Sequence, residues 1–166
     1  MAALPCRPRA EGHRFPCNLV GMDKQLWTVY IDGSAFPNPG KMRIGGIAYA
    51  PDGSAHSFSL ALMHEGCNNE AEALAAIHAL QWLQARQARE VLLHTDNSIL
   101  AEQLSLANPK RIERLAAVYA QARALLPLFA QVKVQWIPRH RNATADALAR
   151  GDALARGDAV GAAFSS

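Results

Sequence analysis

A run of β-branched and aromatic residues from Trp27 to Ile31 is the first clear pattern along the chain, and two more apolar runs follow at Arg43 to Ala50 and Ser54 to Leu62. The breaks between them carry Pro, Asn and Gly, including Pro51-Asp52-Gly53, so the three runs predict strands joined by hairpins. From Asn69 to about Gln84 the chain turns Ala- and Leu-rich over a helical length. Glu90 to Thr95 is a compact apolar strand, and Asn97 to Leu106 and Arg111 to Leu125 predict two helices separated by Asn108-Pro109. Val132 to Ile137 predicts a fifth strand stopped by Pro138, and Ala143 to about Leu154 predicts a closing helix. The order βββαβααβα predicts an α/β fold: a mixed five-stranded sheet flanked by helices.

The two ends lack such patterning. Residues 1–24 mix Pro, Gly, Cys and charges without either period and predict a disordered tail, with a folded domain over 25–155 and a C-terminal tail over 156–166. Met22, just before the first strand-like run, is an alternative translation start. Cys6, His13 and Cys17 lack a fourth ligand and paired spacing, which disfavours a zinc site. Ala-Leu-Ala-Arg-Gly-Asp occurs at 147–152 and again at 153–158, and reads as a helix fraying at its glycines rather than as Arg-Gly-Asp recognition sites.

Composition narrows the class. The 166 residues are 50% hydrophobic and 19% charged with a mean hydropathy of −0.05, which suits one globular domain. No apolar run approaches the roughly 20 residues that cross a bilayer, and three cysteines cannot all pair within one chain. The expectation is a soluble, cytoplasmic monomer with no membrane and no obligate protein partner. The net charge is +3, and the four basic and two acidic residues through Lys24 hold +2 of it, so bulk charge argues nothing for nucleic acid.

The chemistry lies in four acids placed at predicted element ends. Asp32 follows Val29-Tyr30-Ile31, Glu72 stands in the first turn of the first helix, Asp96 ends the fourth strand, and Asp146 is in the first turn of the last helix. Acids that rigid elements bring to one sheet edge repel one another unless a cation sits between them. Two Mg²⁺ ions about 4 Å apart would let such a cluster hydrolyse a phosphodiester. Each acid also has a local alternative: Asp32-Gly33 as a turn, Asn69 with Glu72 as a capping box, Asp96 as a helix cap, Asp146 as a partner of the helix dipole.

Taken together, Asp32-Gly33-Ser34 with Asn38-Pro39-Gly40 and Gly45-Gly46, Asn68-Asn69-Glu70-Ala71-Glu72, Thr95-Asp96-Asn97-Ser98 and Ala145-Asp146-Ala147-Leu148-Ala149 resemble ribonuclease H of type 1 over about residues 27–154. The resemblance implies metal-dependent endonucleolytic cleavage of the RNA strand of RNA–DNA hybrids. It implies that Asp32, Glu72, Asp96 and Asp146 hold two Mg²⁺ ions, for which Mn²⁺ can substitute, and that Glu70, two residues early, does not.

It further implies that His140, four residues after Trp136, handles protons as product leaves, although Arg139-His140-Arg141 also reads as a basic loop. Asn38, Asn68 and Asn69 would face the minor groove, where short amides distinguish 2′-hydroxyls, and the same residues suit turn and cap chemistry. Lys110, Arg111, Arg114, Arg139 and Arg141 are the candidate phosphate contacts. His94, two residues before Asp96, shares its strand face and reads as a buried, hydrogen-bonded histidine. The chain departs from the family pattern at Cys67 and Ser98 and lacks the basic, Trp-containing protrusion, which makes it a short form. The alternatives are a structure-selective nuclease on double-stranded RNA or DNA and a non-catalytic nucleic-acid-binding module.

Overall fold

The computed structural model describes residues 25–152. Five strands form one sheet: β1 (Leu26–Phe36), β2 (Gly40–Tyr49), β3 (Ala55–Gly66), β4 (Glu90–Thr95) and β5 (Gln131–Trp136), in the order β3-β2-β1-β4-β5. The first three pair antiparallel as a meander, while β4 and β5 run parallel to β1. Four helices accompany them: α1 (Asn68–Ala85), α2 (Ser98–Ser105), α3 (Ala116–Leu125) and α4 (Ala143–Arg150). The mixed α/β sheet read from the sequence is the one present. No helix among the described residues is long and apolar enough to cross a membrane.

Neighbouring residues of a strand point to opposite faces, and β1 uses this to hold two helices. A side chain at Gly33 would collide with the α1 backbone at Ala71 and Glu72, whereas one at Gly45, the partner of Asp32, would collide with α4 at Leu148 and Ala149. Thus α1 and α4 cover opposite faces. Half of the buried residues of α1 are alanine, with Ile77, Leu80, Trp82 and Leu83 as the larger members, and the run Ala71 to Ala79 lets its first turns approach the sheet closely. Against it pack Val29, Ile31, Ile44, Phe58, Val91 and Leu93 from the sheet and Leu100, Leu115 and Tyr119 from the α2–α3 layer.

Several predicted boundaries are corrected. β1 continues five residues past Ile31, because Asp32 pairs with Gly45 and Gly33 with Ile44, so Asp32 lies inside a strand rather than at its end or in a turn. The helix α1 starts at Asn68 behind Cys67, which makes no side-chain cap; the Asn69–Glu72 capping box does not form, and Glu72 falls in the second turn. A 3₁₀ turn at Glu113–Leu115 precedes α3, which starts five residues later than Arg111. Extended backbone at Ile112, a 2.6 Å bond from Gln103 Nε2 to the Lys110 carbonyl and the Arg111–Glu113 pair hold the intervening segment out of the helix. Finally, α4 ends at Arg150, before Gly151 with φ of +79°. The expectations for the N-terminal tail, Met22, the second Arg-Gly-Asp copy and the C-terminal tail lie outside the described residues.

Candidate active site

Three of the four acids meet where β1, α1 and the end of β4 come together. Asp32, Glu72 and Asp96 each place an oxygen within 4.8 Å of the others. Asp32 and Glu72 are 6% exposed, and Asp96 is half-buried. Burial raises the Asp32 carboxyl to about 6, with the charges of Asp96 and Asp146 adding to the rise, while hydrogen bonds with Glu72 and the Gly33 N–H pull it down. Glu72 lies well above the usual carboxylate range, first through burial and then through its hydrogen bond to Asp32 and the Asp32 charge. Both carboxyls are therefore held above the ordinary range by the same cause, burial side by side in one place. Thr95 Oγ1 lies 3.5 Å from Glu72 Oε2 and accepts from the Asn97 N–H at 3.1 Å.

Asp96 is held from two sides. Its carbonyl accepts from Trp136 Nε1 at 3.0 Å, and its Oδ1 accepts from Asn142 Nδ2 at 3.2 Å. Asp146, the fourth acid, lines the same cleft but stands outside the trio: Oδ1 accepts from Arg139 Nη2 at 2.9 Å and Oδ2 from Arg150 Nη2. The cleft has a volume of about 450 Å³, and Asn68, Asn69, Asn97 and Ser98 line its rim.

This donor set fits a divalent cation. It consists of hard carboxylate oxygens, and among the described residues no basic side chain forms an ion pair with Asp32, Glu72 or Asp96. Burial and mutual repulsion both disfavour the charged forms of Asp32 and Glu72, so the point between them is where positive charge is wanted.

The other predicted residues are distributed unevenly. The Asn38 side-chain carbonyl accepts from the Asn68 N–H at 3.2 Å, that of Asn68 from the Ala35 N–H at 2.7 Å, and that of Asn69 from Asn97 Nδ2 at 2.9 Å. These bonds tie the β1–β2 hairpin and the start of α2 to the start of α1. Arg139 reaches the cleft, whereas exposed His140 does not line it, and Arg141 lines a separate pocket with Tyr30 and Tyr49. Lys110, Arg111 and Arg114 are exposed between α2 and α3, away from the cleft, with Arg111 Nε 2.7 Å from Glu113. His94 is buried and stacks on Tyr30 at 4.5 Å, outside the carboxylate trio; burial lowers its pKa.

Sequence reasoning missed Asn142 and Arg150. Arg150 lies four residues after Asp146 on one helix face, a spacing that signals the pair. Asn142 reads locally only as a cap, since its partners are 111 and 46 residues away.

The reverse transcriptase-like family matches residues 31–151. The putative hydrolase EbsB of Enterococcus faecalis is 32% identical over 126 residues, covering 74% of this chain and 90% of that protein. The bifunctional protein Rv2228c of Mycobacterium tuberculosis is 32% identical over 125 residues, covering 73% of this chain, and the chain spans only 34% of that relative's length. The crystal structure of LC11-RNase H1 in complex with RNA/DNA hybrid superimposes with a TM-score of 0.68 at 27% identity, covering 75% of this chain and 94% of that one. A meander extended by two parallel strands, with a buried carboxylate cleft at the crossover, defines a ribonuclease H-like domain. The chain belongs to the reverse transcriptase-like family, with the fold of the type 1 ribonucleases H.

Proposed function

We propose that this chain is a metal-dependent endonuclease that hydrolyses the RNA strand of RNA–DNA hybrids. The observation that carries the reading is the Asp32, Glu72 and Asp96 trio, two of them buried and the third half-buried, brought together without a basic ion-pair partner in an open cleft. Those three and Asp146 are the residues proposed to hold two Mg²⁺ ions, with Mn²⁺ as a substitute. Bound divalent ions would supply Lewis-acid activation of water and of the scissile phosphate. The chain's own groups position the substrate: Asn68 and Asn69 border the cleft, and Asn38 is bonded to the Asn68 N–H beside it, all with short amides suited to 2′-hydroxyls. Arg139 faces the phosphates at the cleft, and Arg141, Lys110, Arg111 and Arg114 are proposed to follow the backbone beyond it. His140, exposed on the turn before α4, is proposed to carry protons as product leaves.

The hybrid as substrate is supported by LC11-RNase H1, whose crystal structure is with an RNA/DNA hybrid. Action as a cytoplasmic monomer belongs to the same proposal. The test is cleavage of one end-labelled strand presented as RNA–DNA hybrid, double-stranded RNA, single-stranded RNA and duplex DNA, with Mg²⁺, Mn²⁺ or EDTA. Cutting of the hybrid's RNA is expected with either metal, falling by about 10³-fold or more in Asp96→Asn. Cutting of another duplex instead would move the substrate and keep the metal site. No cutting of anything would overturn the proposal.

A further inference from the structure

We propose that Asn142 is the positioning residue of the carboxylate cluster, its side-chain amide orienting Asp96 for a divalent cation. The inference rests on the metal-site reading above and deepens it.

Asn142 is 1% exposed and lies at the joint between the turn after β5 and α4. Both its side-chain donor bonds go to the cluster's supports: Nδ2 is 2.8 Å from the Ile31 carbonyl, the residue before Asp32, and 3.2 Å from Asp96 Oδ1. Its main-chain carbonyl accepts from the Asp146 N–H at 3.0 Å. One residue thus joins the strand bearing Asp32, the strand end bearing Asp96 and the helix bearing Asp146.

What Asn142 forgoes shows what it is for. It occupies the N-cap position of α4, where asparagine ordinarily accepts from a helix N–H, yet its side chain makes no such bond. Its Oδ1 is buried without a hydrogen-bond partner. A lost cap and an unpaired buried acceptor both weaken a fold; in exchange the amide is turned so that Nδ2 donates to the Ile31 carbonyl, which holds β1, and to the Asp96 carboxylate, which fixes the acid.

The chemistry of the group also fits. A lysine or arginine at this place would neutralise Asp96 and compete with a cation, and an aspartate would have no hydrogen to donate. A neutral amide fixes one carboxylate oxygen and leaves the negative charge available. Groups that orient metal ligands in this way typically change metal affinity by about 10–100-fold when removed.

The experiment is calorimetric titration of the full chain with Mn²⁺ alone, for wild type and Asn142→Ala, with hybrid affinity in EDTA and metal-free thermal unfolding recorded alongside. The expected result is a Kd for Mn²⁺ weakened about tenfold or more in a folded variant, with hybrid affinity in EDTA within about twofold of wild type. Asn142→Ser, which keeps one shorter donor, should fall between the two, and it stands in should the alanine variant not fold. A folded variant with an unchanged Mn²⁺ Kd would overturn the inference. So would failure of both variants to fold, since the residue would then serve the fold alone. A wild-type chain that binds no Mn²⁺ would instead reject the metal-site reading on which the inference rests.

Discussion

Asp32 and Glu72 are two carboxyls that folding forces into one dry place, and their raised pKa values make the metal-free site a source of instability. For Asp32 the folded chain holds its proton up to about 6, against an ordinary value of 3.8, so between these the folded state binds more protons than the unfolded. Its contribution to stability is present at low pH and is lost as pH rises through about 6. Buried His78 and His94, whose pKa values burial lowers, act in the opposite sense below 6.5, so wild type alone does not isolate the carboxylate effect. The difference between wild type and Asp32→Asn does. In EDTA, Asp32→Asn should be more stable than wild type by on the order of 2 kcal/mol at pH 7.5, with the advantage shrinking toward pH 5. Urea unfolding at both pH values checks this, and an asparagine variant less stable than wild type at pH 7.5 would contradict it. These acids were legible in the sequence because each adjoins an apolar element in a recurring order. Asn142 was not, because its meaning exists only once the chain brings residues 31 and 96 to it.

At the scale of elements, the site depends on how α4 is seated. Ser34 Oγ donates to the Ala149 carbonyl at 2.9 Å and Ser59 Oγ to the Leu148 carbonyl at 2.6 Å, so β1 and β3 hold the C-terminal end of the helix whose first turn carries Asp146. Gly45 lets the α4 backbone lie directly on β2. Gly45→Ala should therefore lift α4, destabilise the chain by roughly 2–4 kcal/mol and speed amide exchange in α4 more than in α1 or β4. Ser34→Ala and Ser59→Ala should each cost about 1 kcal/mol with the same local signature. Hydrogen exchange resolved by segment checks this, and uniform loss of protection would mean that α4 is no separate unit. The same glycines explain why some elements were legible and others were not. The strand β4 was bounded correctly by its apolar run, since β-branched and leucine residues there face buried surface on both sides of the sheet. Asp32-Gly33 carries turn-like chemistry, yet Gly33 is a strand position where α1 presses against the sheet, as α4 does at Gly45, a contact no local pattern encodes.

Across the whole molecule the charge balance is nearly even, with 17 Lys and Arg against 14 Asp and Glu, so little long-range attraction draws a polyanion in. Near the cleft the balance is worse, since the guanidiniums of Arg139 and Arg150 pair with Asp146 and none pairs with the trio of Asp32, Glu72 and Asp96. A phosphate backbone approaching the metal-free cleft meets uncompensated negative charge at short range, where salt screens poorly. Removing that charge should therefore help binding even as it destroys the metal site. In EDTA, Asp32→Asn/Asp96→Asn should bind an RNA–DNA hybrid several-fold more tightly than wild type, and Mg²⁺ should reverse the ranking. Fluorescence anisotropy against salt concentration tests this and the basic contacts together. If Lys110 and Arg114 each meet a phosphate, converting both to Gln should lower the log–log salt slope by about 1 per residue while the cleft effect persists. A double aspartate variant that binds no better than wild type without metal would mean that the hybrid backbone does not enter this cleft, and with it the carboxylate trio would lose its substrate.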